Sequence, residues 1–146
     1  MRIAICEDDV AQTRIIEFYL RKMAGKYHME EIAAYASGES LYRAVGKKKR
    51  FDFYLLDIGL PGISGVELGR ILRTADSDAG LVFITDYPQY VTQAFGLKSA
   101  QYLLKPLKSN IFMRTMSRLF DAYERQYVTY VLENERLLKL RVRDII

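Results

Sequence analysis

The chain alternates between short apolar runs and longer stretches with helical spacing, from its first residue to about residue 124. Apolar runs of four to eight residues, bounded by Gly, Pro or charged residues, are typical of strands buried on both faces of a parallel sheet. The predicted strands are residues 2–6, 31–36, 52–56, 81–84 and 101–104. Their regular spacing indicates one strand–helix unit repeated along the chain.

Between the predicted strands, apolar residues recur every three or four positions, as on one face of an α-helix. Two such sets are Leu68, Ile71, Leu72 and Ala75, and Phe112, Met116, Leu119, Phe120 and Tyr123. Ser64 followed by Glu67 has the spacing of a capping box, which predicts a helix beginning there. Because parallel crossovers are right-handed, five such repeats predict an α/β fold, a doubly wound five-stranded parallel sheet with helices on both faces.

The last twenty residues depart from this alternation. Two β-rich runs, 127–132 and 137–142, flank Glu133-Asn134-Glu135-Arg136 and predict a hairpin. An isolated hairpin is marginal in water. We therefore interpret residues 1–124 as one domain and residues 125–146 as a linker and the first strands of a second, truncated domain; a tail that pairs with another chain is the alternative.

The composition is that of a globular protein of 146 residues, half of them hydrophobic and about a quarter charged. No apolar run reaches the ~18 residues of a membrane span, and the acidic start at Glu7 differs from a secretory signal. We therefore expect a cytoplasmic protein without a membrane partner. Cys6 is the only cysteine, which excludes a disulfide within the chain, and its apolar run favours a buried residue.

Asp57 closes the apolar run Phe53-Tyr54-Leu55-Leu56 and precedes Ile58-Gly59-Leu60-Pro61-Gly62. Aspartate is a common turn residue, so this stretch alone does not distinguish a turn from a functional site. In open parallel sheets, however, ligands bind at the carboxyl ends of the strands. The polar residues expected at that edge are Glu7, Asp8, Asp9, Asp57, Thr85 and Lys105.

These residue types suit one chemistry. Carboxylates that crowd together raise one another's pKa, and Mg²⁺ relieves the repulsion. A lysine supplies a point charge for a phosphate oxygen, and a carboxylate can accept a phosphoryl group directly. Each residue also has a structural interpretation, such as acidic residues that favour a helix start. Together they favour a phosphoryl-transfer site at Asp57.

Four segments carry a family resemblance: Ile5-Cys6-Glu7-Asp8-Asp9, Leu55-Leu56-Asp57-Ile58-Gly59-Leu60-Pro61-Gly62-Ile63-Ser64-Gly65, Phe83-Ile84-Thr85 and Tyr102-Leu103-Leu104-Lys105-Pro106. Over residues 1–124 the chain resembles the receiver domain of bacterial two-component response regulators, which has a flavodoxin-like fold with strand order 2-1-3-4-5. The residues after Thr85 and the β-rich tail are similar to regulators that carry a LytTR DNA-binding domain.

The resemblance implies a role for each matching residue. Asp57 would accept a phosphoryl group from a sensor histidine kinase, and Lys105, joined to Pro106 by a cis bond, would pair with that group. Thr85 and Tyr102 would act as the switch residues. The implied Mg²⁺ ligands are Glu7, Asp8, Asp57 and the backbone carbonyl of Gly59.

Two positions are expected to modulate the site. Asp9 falls one residue beyond the acidic pair Glu7 and Asp8, so the resemblance does not assign it to the metal. Asp86 stands where the family usually has a small residue, and a carboxylate there is expected to slow phosphorylation. Gly59, two residues after Asp57, has no side chain to orient an attacking water.

The resemblance also implies the output. The face formed by the fourth helix, the fifth strand and the fifth helix, with Tyr90, Val91, Phe95 and Tyr102 on or near it, would form a homodimer on phosphorylation. DNA would be bound only through the absent C-terminal domain, and the chain would be a phosphoacceptor rather than a turnover enzyme. The alternatives are an interaction module that signals without phosphate and an aspartyl-phosphate phosphatase, which would need a second acid where Gly59 stands.

Overall fold

The computed structural model describes residues 1–94, 96–97, 100–131 and 137–141, with side chains except those of 92–94, 127–131 and 137–139. In chain order the elements are β1 (Arg2–Cys6), α1 (Val10–Met23), β2 (Glu31–Tyr35), α2 (Gly38–Gly46), β3 (Phe53–Asp57), α3 (Gly65–Ala75), β4 (Gly80–Thr85), a 3-10 helix (Pro88–Ala94), β5 (Ala100–Leu104), α4 (Ser109–Arg125), β6 (Tyr127–Val131) and β7 (Leu137–Arg141). The five predicted sheet strands are confirmed to within one residue at each end.

The first five strands form one parallel sheet in the order β2-β1-β3-β4-β5. The strand order reverses between β1 and β3, so the crevice at their carboxyl ends is the topological switch point of the sheet. All five residues of β3 are buried, as expected for a central strand covered on both faces. The predicted doubly wound fold is therefore confirmed.

One face of the sheet packs against α2 and α3. The residues of this core include Ala4, Cys6, Tyr54, Leu56, Leu81 and Phe83 from the strands and Leu41, Val45, Leu68 and Leu72 from the helices. Their strand neighbours Ile5 and Leu55 point to the opposite face, since successive side chains alternate, and they are buried as well. Helix α3 begins where Ser64 accepts a hydrogen bond from the Glu67 N–H at 3.2 Å, as the capping pattern predicts.

The connection between β4 and β5 differs from the prediction. A 3-10 helix, Pro88–Ala94, takes the place of the fourth α-helix. Its residues Tyr90 and Val91 are aromatic or β-branched and lose side-chain freedom in an α-helix, which favours a short, tight turn. Phe95, which we predicted on the dimer face, lies outside the described residues.

The chain divides into two compact units, Met1–Phe112 and Met113–Ile146. In the second, β6 and β7 pair antiparallel, with Tyr127 opposite Arg141, as the hairpin prediction requires. The turn residues 132–136 lie outside the described part of the chain. Among the helices that the structure describes, none is long and apolar enough to cross a membrane.

Candidate functional site

The carboxyl ends of three strands bring Glu7, Asp57 and Lys105 into direct contact. Glu7 follows β1, Asp57 ends β3 and Lys105 follows β5. The Lys105 Nζ lies 2.8 Å from Glu7 Oε2 and 3.5 Å from Asp57 Oδ2, and all three side chains are nearly inaccessible to solvent. The lysine reaches both carboxylates because its long side chain passes over the end of β4.

The charges at this point are mutually dependent. Burial raises the pKa of Glu7 to about 6, against the opposing effects of the hydrogen bonds from the Lys105 ammonium and the Asp9 N–H. Burial alone would lower the pKa of Lys105, but its hydrogen bond to Glu7 and the nearby negative charges outweigh that effect and raise it. At neutral pH the lysine is therefore charged and Glu7 is mostly ionised.

A second group of oxygens faces the same crevice. Glu7, Asp8 and Asp57 each offer a carboxylate oxygen, and these atoms lie within 4.8 Å of one another. Asp8 is exposed, whereas Glu7 and Asp57 are buried. Asp9 points elsewhere, because its side chain caps α1 by accepting a hydrogen bond from the Ala11 N–H at 2.9 Å.

The loop after β3 fixes one oxygen of Asp57. The Gly59 N–H donates to Asp57 Oδ1 at 3.0 Å, and the Ile58 N–H donates to the Ile84 carbonyl at 3.1 Å. Gly65, the first residue of α3, permits close packing, since a Cβ there would overlap the Asp57 carbonyl. The carboxylate is thereby held at the sheet edge with its Oδ2 toward Lys105.

The sequence profile of the response regulator receiver domain matches residues 3–117, most of the chain. The chain belongs to the response regulator receiver domain family. Members of this family are phosphoacceptor regulators of two-component systems rather than turnover enzymes.

Relatives of this receiver domain include named transcriptional regulators. It is 29% identical over 139 residues to the transcriptional regulatory protein BtsR of Salmonella typhi, covering 95% of this chain and 56% of that protein. It is 39% identical over 66 residues to the sensory transduction protein LytT of Oceanobacillus iheyensis, covering 44% of this chain and 27% of that protein. The chain thus spans about half the length, or less, of these curated relatives.

Solved structures agree on the fold. The response regulatory domain of MrkE from Klebsiella pneumoniae superimposes with a TM-score of 0.78 at 24% identity, covering 86% of this chain and all of that one. The regulator TrrA of Thermotoga maritima, in complex with Mg²⁺ and BeF, gives 0.69 at 24% identity, covering 81% of this chain and 97% of that one. At these identities the likeness establishes the receiver fold alone.

The two predicted switch residues have defined surroundings in this receiver domain. Thr85 is buried, and its hydroxyl accepts a hydrogen bond from the Tyr87 N–H at 3.0 Å. The Tyr102 ring is half-buried and stacks on Phe83, with 5.8 Å between the ring centroids. The Thr85 hydroxyl is therefore engaged by the Tyr87 backbone in this structure.

Asp86 and the Lys105–Pro106 bond lie beside this group of residues. Asp86 has a side chain that is 60% exposed, with Oδ2 4.0 Å from Lys105 Nζ. The Lys105–Pro106 bond is cis, as the resemblance implies. Asp86 therefore stands at the open side of the crevice rather than inside it.

The donor set of the acidic group fits Mg²⁺. It consists of hard oxygen ligands, with the exposed Asp8 leaving room for water, and the raised pKa of Glu7 reflects the burial and crowding that a divalent cation relieves. The Gly59 backbone adjoins this group through its bond to Asp57.

Sequence reasoning missed one residue at the edge of the site. Glu39, in the first turn of α2, accepts a hydrogen bond from the Ile63 N–H at 2.8 Å, in the loop that follows Asp57. The sequence indicates only where α2 begins, because Ser37 and Ser40 form a capping box there, with Glu39 in the first turn. Its contact across 24 residues is not visible in the sequence.

Proposed function

We propose that this receiver domain is a phosphorylation switch in which Asp57 accepts a phosphoryl group from a sensor histidine kinase. The observation that carries the proposal is the Lys105 ammonium, buried 3.5 Å from the Asp57 carboxylate at the mouth of the crevice. A carboxylate oxygen of Asp57 forms the new bond to phosphorus, while the bond between phosphorus and the donor nitrogen breaks. The Lys105 ammonium would neutralise part of the charge of the transferring group, and a metal held by the acidic residues would supply further positive charge.

We assign Mg²⁺ to Glu7, Asp8, Asp57 and the Gly59 carbonyl. The bound ion would supply positive charge at the phosphoryl oxygens during transfer. Among the residues themselves, the Gly59 N–H orients Asp57 and the Asp9 N–H orients Glu7, donating to its Oε1 at 3.1 Å. The carboxylates of Glu7 and Asp57 are therefore each oriented by a backbone donor.

The phosphoryl group would then bias the switch residues. The phosphoryl group carries a charge of about −2 and three acceptor oxygens, in place of the single charge of the Asp57 carboxylate. Thr85 would exchange its bond to the Tyr87 backbone for one to a phosphoryl oxygen, and Tyr102 would move into the vacated space. The adjoining 3-10 helix and β5 would shift with it, since Tyr90 and Tyr102 pack against the core of the sheet.

The proposed output is dimerisation followed by DNA binding. The face with Tyr90, Val91 and Tyr102 would pair two receiver domains in the cytoplasm. Residues 125–146 would form a linker and the first strands of a LytTR-type domain, and only that domain would bind DNA. The relatives BtsR, a transcriptional regulatory protein, and LytT, a sensory transduction protein, support this proposal.

Mass spectrometry of the purified chain tests the proposal. Incubation with Mg²⁺ and acetyl phosphate should add the mass of one phosphoryl group. The Asp57→Asn variant and a sample with chelator should gain none. Asp8→Asn should fold normally, since Asp8 is exposed, but should require more Mg²⁺.

Two results would contradict the proposal. An unchanged wild-type mass would favour the interaction module that signals without phosphate. A phosphoryl group found on Asp57→Asn would place the acceptor elsewhere.

A further inference from the structure

Besides the Ile58 N–H, which donates to the Ile84 carbonyl, three backbone N–H groups anchor the loop between β3 and α3. Its start is held by Gly59, whose N–H donates to Asp57, and its end by Gly65, whose N–H donates to the Ile58 carbonyl at 3.2 Å. The third anchor is the Ile63 N–H, which donates to Glu39 Oε1 at 2.8 Å. Only this third bond joins the loop to α2.

A turn in the middle of the loop comes just before Ile63 and sets the direction of the Ile63 N–H. Pro61 followed by Gly62, with a φ of +73° at the glycine, is the pattern of a type II turn. A positive φ is unfavourable for residues with a side chain, so glycine is required here. Ile63, the next residue, therefore presents its N–H to α2.

The two surfaces touch closely at this point. A Cβ on Gly62 would collide with the Glu39 carboxylate, and a Cβ on Gly38 would lie 2.7 Å from the Ile63 carbonyl oxygen. Both contact positions are glycine, so the first turn of α2 can seat directly on the loop. The capping box of Ser37 and Ser40 fixes the direction of that turn.

We propose that Glu39 is a positioning residue for the phosphorylation site. By holding Ile63, it would fix the loop that contains Gly59, whose N–H donates to Asp57 and whose carbonyl would be one of the metal ligands. The inference rests on the proposed function, because it assigns the loop a role in Mg²⁺ binding. Glu39 itself contacts neither the metal ligands nor the reacting oxygen.

A simpler role for Glu39 would be a favourable charge at the start of α2. The hydrogen bond from Ile63 is the largest of the effects that lower the pKa of Glu39. Two substitutions separate the roles. Glu39→Gln keeps an acceptor oxygen at the same reach without the charge, and Glu39→Asp keeps the charge but withdraws the acceptor by one methylene.

The experiment measures Mg²⁺ affinity by calorimetry and amide exchange at Ile63 by NMR, on the full chain. Glu39→Asp and Glu39→Ala should weaken Mg²⁺ binding about five- to tenfold, the loss expected of one hydrogen bond, and should speed exchange at Ile63. Glu39→Gln should match wild type in both. The control Glu17→Gln, which removes a charge on α1, should also match wild type.

Each outcome supports or overturns the inference. A loss in Glu39→Gln with wild-type affinity in Glu39→Asp would indicate a role for the charge, and equal losses in both variants would show that a neutral acceptor at the same reach does not suffice. Either result would overturn positioning by the hydrogen bond. Faster exchange at Ile63 with unchanged Mg²⁺ affinity would show that the bond is purely structural. If wild type binds no Mg²⁺ and accepts no phosphoryl group, the proposed function itself fails, and the inference with it.

Discussion

Removing the charge of Asp86 should speed phosphorylation of Asp57 by a small-molecule donor. Asp86 Oδ2 and Asp57 Oδ2 are no more than about 7.5 Å apart, since they lie 4.0 and 3.5 Å from the same Lys105 Nζ. An incoming phosphoryl donor carries negative charge to a point between them. The Asp86 carboxylate repels that charge and also competes with it for the lysine.

The magnitude follows from Coulomb's law. At about 7.5 Å in water, two unit charges repel by roughly 0.5 kcal/mol, and a doubly charged donor by about 1 kcal/mol. The water value applies because the Asp86 side chain is 60% exposed. Since about 1.4 kcal/mol corresponds to tenfold, the rate should rise about two- to sixfold.

The assay is the initial rate of mass gain with acetyl phosphate at saturating Mg²⁺. Asp86→Asn removes the charge at nearly constant volume, and Asp86→Ala removes both. The control for net charge is Asp78→Asn, which lies between α3 and β4 at the amino end of the strands, away from the site. The rate increase of the Asp86 variants over wild type should become smaller at about 1 M salt, where the Debye length falls to about 3 Å.

A wild-type rate for Asp86→Asn at low salt would refute the electrostatic argument. If only Asp86→Ala were faster, the obstruction would be steric. A slower Asn variant would mean that Asp86 assists the lysine rather than competing for it.

Three further outcomes are expected. Cys6 is fully buried, and desolvation is the main cause that raises its pKa from 9.0 to about 12. Its thiolate fraction near pH 8 is therefore about a thousandfold lower, and alkylation of the folded protein should be slow. Equally fast alkylation with and without urea would contradict this expectation. Mg²⁺ affinity should fall about tenfold per pH unit below about pH 6, because the proton must leave Glu7 before the metal binds. A calorimetric titration that shows no pH dependence would exclude Glu7 as a ligand. Gly65→Ala should lower the free energy of unfolding by about 1–3 kcal/mol, since the added Cβ overlaps the backbone of Asp57. The control Gly46→Ala, which has open space around the added Cβ, should be neutral or stabilising. Urea denaturation measures the free energy of unfolding of both variants.

The local patterns predicted most of the fold. The central strands β1, β3 and β4 are nearly continuous apolar runs, because a strand covered on both faces has no solvent side, whereas the edge strands β2 and β5 are partly exposed. Ser64 predicted the start of α3 through a bond to a backbone N–H three residues away. The exception, the 3-10 helix, lies where Tyr90 and Val91 give a weak helical signal.

The sequence by itself determined which residue types stand at the strand ends, since Asp57, Thr85 and Lys105 each follow from where an apolar run stops. Only the tertiary structure decided which of them touch. Strand order places Lys105 against both Glu7 and Asp57, and α2 reaches the loop after Asp57 through Glu39. Hydrogen bonds between distant segments depend on how elements pack, and no periodicity along the chain records that packing.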